Sequence, residues 1–414
     1  MYNVFRLKDI SNFSELYSYI YLLRRMIELI LLDTNYVSPL LIEVLSKSRK
    51  TIYDVTHQRF LRTPLSFQSF DDKDSILMNA EIGIETLNEF LPTHRLTTLA
   101  NLFNNKVALR KLLASKYPNF FYESYHFEQL KRADIENLPY PVVLKPIFGY
   151  YEGGGVCKCN NANQLRAYMN VFKGNNGTGD GHLLIEQYIV GQQYAIDYYY
   201  DEAGDPVILN IFTLHVKDSE HMSNRIYYTS KEVLSSTLDK FYTYLKNFGE
   251  NFRLMNMPLH MELRITVKGE IVPIEINALQ FAGKGTTELG YYAYQINPYE
   301  YYINKHKPDW EQVISDMDDA IYSFTCAEID PAITYSQVEC INHDALKQEF
   351  KEIIDYRVLP SETSVTFAVV FFKSPSIEEH QQILNLDFME FVTLKNTNQA
   401  KENVSGEKVK VHSS

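Results

Sequence analysis

The chain has 414 residues but only four cysteines and one tryptophan. Cys157, Cys159, Cys326 and Cys340 are too few to staple a chain of this length, which excludes a disulfide scaffold. Cys157 and Cys159 lie two apart on an expected strand and face one side. C-x-C alone is a weak mark of a metal or redox pair, and plain strand residues are the simpler reading. Positive charge is also short: 40 Lys and Arg against 52 Asp and Glu give a formal charge of −12. Holding nucleic acid or an anionic membrane takes a basic face, so neither is an expected partner. A small anion is different, since one local cluster of cations can hold it. No apolar run reaches the roughly 20 residues of a membrane span. The most apolar early stretch, Tyr19–Leu32, is broken by Arg24, Arg25 and Glu28 and reads as an amphipathic helix. The opening MYNVFRLKDI holds no basic stretch leading into an apolar run, so the expected location is cytoplasmic.

What is present is a folded chain, 45% hydrophobic, with 31 Tyr and 24 Phe. Its length suggests two or three domains. Residues 1–70 read as helical segments with a strand near Thr51–Val55. A strand at Ser75–Asn79 precedes a helix through Glu81, Glu85 and Phe90. One further helix is expected from Leu99 to Ser115, and another over Phe127–Asn137. Val142-Val143-Leu144-Lys145-Pro146 is a short buried strand ending in a lysine, followed by the glycine-rich loop Gly149–Gly155. Strands follow at Leu183–Glu186, Tyr194–Tyr200 and Val207–Leu214, then a helix over Lys231–Phe248. A hairpin, His260–Val267 with Ile271–Ile276, closes across Lys268-Gly269. From Asp316 the character changes, with strands at Ile321–Ala327 and Val365–Phe372 and helices near Ala345–Ile354 and Ile377–Leu386. This reads as a separate small α/β module, followed by a disordered tail over 396–414.

Four pieces carry chemistry. Lys106 sits in a helix. Lys145 ends a strand just before Gly153, Gly154 and Gly155. Glu186-Gln187-Tyr188-Ile189 continues the strand that opens at Leu183. His260, Glu262, Glu275 and Asn277 lie on adjacent strands. Glycine lets backbone N–H groups approach phosphates, and lysines supply point charges for their oxygens. Two carboxylates and an amide oxygen are hard ligands suited to Mg²⁺ shared with phosphates. Glu275 and Asn277 alternate by two and share a face, which Glu262 can meet from the partner strand.

In that order and spacing, Asn105–Arg110, Tyr140–Val156, Leu183–Asp197 and His260–Asn277 resemble the ATP-grasp superfamily, in its carboxylate–amine ligase branch. The resemblance spans about residues 75–300. It implies an α/β (α+β) fold of two lobes gripping ATP, a pre-ATP-grasp domain over 1–100 and an ATP-grasp domain over 101–315. Within the latter, the lid lobe would cover about 120–185 and the metal-binding lobe about 186–315; the C-terminal module would be 316–395. It also implies roles. Lys106 and Lys145 would contact ATP phosphates, and Gly153, Gly154 and Gly155 would form the lid. Glu186, Gln187, Tyr188 and Ile189 would line the adenine. Glu262, Glu275 and Asn277 would hold one or two Mg²⁺, with Mn²⁺ an acceptable substitute.

Two positions depart from that pattern. Where relatives carry a ribose-binding acid, this chain has Gly191-Gln192-Gln193, so Gln193 is the candidate ribose contact. Where relatives carry a phosphate-facing arginine after the metal asparagine, it has Leu279 and Gln280. Lys284 or Arg264 would then supply the missing charge. His260 either orients substrate or is a satisfied strand histidine. The implied reaction is ADP-forming ligation of a small-molecule or peptide carboxylate to an amine through an acyl phosphate, needing no protein nucleophile. The alternative is a degenerate relative that binds ATP as a regulatory ligand. Arg225, Tyr227, Arg264, Gln280, Lys284 and Thr286 are candidate substrate-lining residues. An arginine there suits a substrate carboxylate, an ordinary surface residue being the other reading of Arg225. A homodimer is a further expectation.

Overall fold

The computed structural model describes residues 28–62, 67, 70–72, 74–147, 155–174, 181–217, 225–330, 333–359 and 365–395. Gly153, Gly154 and the 396–414 tail lie outside the described residues.

The first unit is a four-stranded sheet of β1 (Glu28–Leu32), β2 (Thr51–Asp54), β3 (Arg59–Arg62) and β4 (Ser75–Met78), in the order β3-β2-β1-β4. β1 runs parallel to both β2 and β4. Leu29, Ile30 and Leu31 are buried on both sides, as a central parallel strand requires. Residues 28–32 are therefore strand, not the end of the expected amphipathic helix. Their apolar run fits either state, and burial on both faces decides it.

The expected helix from Leu99 to Ser115 is two helices, Arg95–Asn104 and Lys106–Leu113. Asn105 leaves helical geometry at φ −83°, ψ 105°, and its side chain caps the second helix at Ala108 N, 2.9 Å away. The break makes Lys106 a first-turn residue.

The second unit is an antiparallel sheet of β5 (Tyr122–His126), β6 (Val142–Pro146), β7 (Cys157–Cys159) and β8 (His182–Gln187), in the order β5-β8-β6-β7. The helix Ala162–Gly174 belongs to this unit, with Leu165 and Met169 in the core beneath the sheet. Burial pushes the Cys157 and Cys159 thiols up to about 11 and about 12, which makes them poor metal or redox groups. The expected Phe127–Asn137 helix is a short helix, Phe127–Leu130, and a separate turn at Ile135–Asn137.

The third unit is an eight-stranded sheet. It comprises β9 (Gly191–Tyr200), β10 (Pro206–Val216), β11 (Arg225–Thr229), β12 (Met257–Thr266), β13 (Ile271–Ala278) and β14 (Ile321–Glu328). After β15 (Val338–Ile341), it adds β16 (Ile353–Val358) and β17 (Thr366–Ser374); β18 (Val392–Leu394) pairs with β15 in a small separate sheet. The order β13-β12-β9-β10-β11-β14-β17-β16 carries the C-terminal strands directly onto the central ones. The region after Asp316 is thus continuous with the central sheet through β11–β14, not a separate module. Where a helix was expected over Ala345–Ile354, the chain makes a short helix at His343–Gln348 and then β16. The helix Lys231–Phe252 buries Leu234, Phe241, Leu245 and Phe248 at helical spacing, in the same core as β9 and β10. Tyr198, Tyr199 and Tyr200 are fully buried there; Tyr200 donates to Leu245 O at 2.7 Å, so the tyrosine run is packing. No described helix is long and apolar enough to cross a membrane.

Candidate active site

The β12–β13 hairpin sets Glu262 opposite Glu275 and His260 opposite Asn277. On the other side of β12, β9 sets Gln193 opposite Arg264 and Asp197 opposite His260. Alternation by two brings these side chains to one face. All but the fully buried Asp197 border a cleft of about 370 Å³, which is also lined by Lys145 and Glu186 and by Tyr227 and Arg225 of β11.

The two carboxylates are held differently. Glu262 accepts from Gln193 Nε2 at 3.0 Å and from the Tyr227 hydroxyl at 3.3 Å, with His260 Nε2 at 3.9 Å. Burial pushes its pKa up, but His260 and Arg225 outweigh that and hold it below the ordinary range. Glu275 pairs with Lys106 Nζ at 3.3 Å. Burial opposes the Lys106 charge, yet Glu275 and Glu81 keep its pKa raised. Glu81, just after β4, was read from sequence only as a helix residue. Burial, then Glu275, pushes its carboxyl up to about 7.

His260 donates from Nδ1 to Asp197 Oδ1 at 2.8 Å. Against burial, its hydrogen bonds to Asp197 and Glu262 push it up to about 10, so it is an imidazolium at neutral pH. Asp197 is fully buried and also accepts from Ala282 N at 2.9 Å, Thr287 Oγ1 at 2.7 Å and Asn210 Nδ2 at 3.0 Å. One carboxylate thereby ties β12 to the loop after Asn277. The sequence offered no motif for it.

Glu186 is buried between two cations. Arg110 contacts it from Nε at 2.5 Å and Nη2 at 3.0 Å, and Lys145 Nζ lies 2.6 Å away. Although burial works against the charge, Lys145 and Arg110 pull the Glu186 carboxyl down to about 2. Burial, with Arg110 and Lys106 nearby, lowers the Lys145 pKa despite Glu186. Arg110 also donates to Pro273 O at 2.6 Å and Ile274 O at 3.3 Å, binding helix, lid sheet and hairpin together. Its signal in the sequence is a charge within the buried helix stripe Lys106, Leu109, Arg110 and Leu113.

Several candidates fall differently from the sequence reading. Arg264 donates to Ile189 O at 2.7 Å and Gln193 Oε1 at 2.9 Å, and stacks 4.4 Å over the Tyr188 ring. Its guanidinium is thus taken up by the Tyr188–Gln193 segment. Gln193 bridges Glu262 and Arg264, which take its amide oxygen and one of its two N–H donors. Leu279 adopts φ 64° and is fully buried, its backbone fixed by Pro258 O at 2.8 Å and Met78 N at 2.6 Å. The position where an arginine was sought is a core residue. Gln280 is also buried. Lys284 lines the cleft and donates to Thr366 Oγ1 of β17 at 3.0 Å. Gly155 has φ 110°, a geometry that favours glycine.

Residues 138–288 match the family model of the ATP-grasp domain. No curated protein matches the chain. Among solved structures, it is similar to an L-amino acid ligase from Bacillus licheniformis, at 16% identity and TM-score 0.58, over 91% of this chain and 100% of that one. A carboxyaminoimidazole ribonucleotide synthase from Aspergillus clavatus complexed with ATP matches at 12% identity and TM-score 0.58, over 87% and 97%. The Thermotoga maritima N5-carboxyaminoimidazole ribonucleotide synthetase matches at 12% identity and TM-score 0.54, over 89% and 99%. At these identities the likeness is one of fold.

Proposed function

We propose that the chain, whose residues 138–288 match the ATP-grasp domain model, is an ATP- and Mg²⁺-dependent, ADP-forming ligase that joins a small-molecule or peptide carboxylate to an amine. The observation that carries this reading is the convergence of Glu262, Glu275, Asn277, Lys106 and Lys145 on one cleft.

The donor set fits the metal the fold implies. Glu262 and Glu275 face each other with side chains about a fifth to a quarter exposed (22% and 25%), and Asn277 shares their face. Carboxylates and an amide oxygen, without thiolate or neutral imidazole, suit Mg²⁺ or Mn²⁺. Bound there, the ion would supply charge neutralisation for the transferring phosphoryl group.

The chain's own residues do the rest. Lys106 and Lys145 bind and neutralise ATP phosphates, and Gly153, Gly154 and Gly155 cover them. Glu186 acts through Arg110 and Lys145: it fixes where the lysine points, while the Gln187–Ile189 backbone meets the adenine. The His260 imidazolium and Lys284 provide the positive charge that Leu279 does not, which stabilises the anion formed as the substrate carboxylate attacks the γ-phosphoryl group. Holding the reactants in line supplies most of the remaining rate. Excluding water protects the acyl phosphate until the amine attacks.

The core position of Leu279 and the bridging of Gln193 between Glu262 and Arg264 favour a second reading, in which ATP is a regulatory ligand without turnover. Incubation with ATP, Mg²⁺ and pools of carboxylic acids and amines, scored for ADP, separates the two. Substrate-dependent ADP release that Glu275→Ala abolishes supports the ligase. ATP binding without turnover across the pools supports the regulatory reading.

A further inference from the structure

One cation in the cleft has no counterpart. Arg225 opens β11 and lines the cleft at the end away from Lys145 and Glu186. Among the described residues its guanidinium has no hydrogen-bond acceptor and no ion-pair partner. The other cleft cations are engaged: Lys106 by Glu275, Lys145 by Glu186, Lys158 by the Tyr188 ring 4.3 Å away, Arg264 by Gln193 and Lys284 by Thr366. Tyr227, Cys326, Glu328 and Glu262, in that order, act on Arg225 only through the longer-range field. A guanidinium carries five donors in a planar fork, and leaving them unmet inside a protein is costly.

Beside it the cleft wall joins apolar side chains to the Tyr227 hydroxyl and the Cys326 thiol. Tyr227, two residues on, stands opposite Leu214 of β10 and Phe324 of β14. Phe324, Cys326 and Leu214 also line this end. Two strand residues are about 7 Å apart, and it is Tyr227, not Arg225, whose hydroxyl reaches Glu262. An anion on Arg225 is therefore set off from the metal-facing acids, beyond a short apolar floor.

We propose that Arg225 anchors a substrate carboxylate that the reaction does not consume, with the substrate's apolar body lying along Leu214 and the Tyr227 ring. This rests on the ligase reading and narrows its substrates: one of them keeps a free carboxylate remote from the bond being made. A planar fork pairs with carboxylate through two parallel hydrogen bonds, a geometry lysine does not offer.

The test needs no turnover, so its failure and that of the ligase reading are read separately. Wild-type protein is treated with phenylglyoxal, an arginine-selective reagent, and the modified arginines are mapped by mass spectrometry. Arg59, whose side chain is 65% exposed, serves as the reference. The protectants are an equimolar pool of amino acids, the matching amino acid amides, a pool of aliphatic dicarboxylic acids with their diamides, and inorganic phosphate. The expected result is labelling of Arg225 that free carboxylates slow at least fivefold and the amides do not. Protection by amino acids alone places the anchored group on the amine-bearing substrate; protection by dicarboxylic acids alone places it on the activated acid. Equal protection by acids and amides, or by neither, overturns the proposal. So does protection by phosphate at lower concentration than any carboxylate, which would make Arg225 a phosphate ligand. An Arg225 that stays unlabelled while Arg59 reacts also overturns it, since the guanidinium would then not be open to the cleft.

Discussion

Replacing Glu186 by glutamine keeps the shape of the side chain and removes one buried charge. Arg110 and Lys145 then share a buried site with no anion between them. The native carboxyl titrates near 2 against an ordinary 4.5. Each pH unit of such a difference corresponds to about 1.4 kcal/mol, so the charged form is worth about 3 kcal/mol to the fold. The sign follows from proton uptake. Below about 4.5 the unfolded chain binds a proton that the native state refuses, so native stability falls as pH drops from about 4.5 toward 2. Urea unfolding followed by far-ultraviolet circular dichroism, for wild type and Glu186→Gln, tests this. At pH 7 the variant is less stable by about 3 kcal/mol, and the gap closes as the pH falls through that window. A gap that stays constant with pH would show that packing, not charge, carries the effect. No gap at pH 7 would refute the claim that Glu186 is the counter-ion joining lid sheet to helix.

Three further predictions follow from other parts of the molecule. His380 donates to or accepts from Ser323 Oγ at 2.7 Å, and burial, then His215, pushes it down to about 4. A lowered histidine stays neutral in the fold while the unfolded chain protonates, so stability declines as pH falls from 6.5 toward 4; His380→Phe should flatten that limb, and an unchanged slope would refute the assignment. Arg357 grips the fully buried Glu288 with both terminal nitrogens, at 2.9 and 2.6 Å, so Arg357→Met should cost about 3–5 kcal/mol in urea unfolding, and a loss under 1 kcal/mol would contradict it. Lys145→Ala should weaken ADP binding by roughly 10–100-fold in calorimetry, and an unchanged affinity would count against its phosphate role.

The site was legible in the sequence where chemistry is written in residue order. The spacing of Glu262, Glu275 and Asn277 on a hairpin fixes their common face, and the register confirms it. What order cannot show is which distant groups meet. Arg110 reaches Glu186 across 76 positions and Tyr227 reaches Glu262 across 35, and neither pair leaves a local trace. Gln193 was read as a ribose contact and Arg264 as a phosphate-facing or substrate-lining cation, yet once folded the two hydrogen-bond each other. In the fold, apolar runs were the ambiguous signal. Leu29–Leu32 is strand because layers cover both its faces, a property of the tertiary structure. Asn105 breaks a helix that periodicity alone would continue, and the capping bond to Ala108 was there to be read. The C-terminal strands looked like a module because composition shifts at Asp316, but β14 pairs along β11 and carries them into the central sheet.

The central claim is that ATP activates a carboxylate as an acyl phosphate. It is tested most directly by supplying pools of acids labelled with ¹⁸O in the carboxylate, together with amines, ATP and Mg²⁺, and analysing the released phosphate. The account predicts one ¹⁸O transferred to each phosphate, with ADP formed in equal amount. Unlabelled phosphate, or AMP in place of ADP, would contradict it.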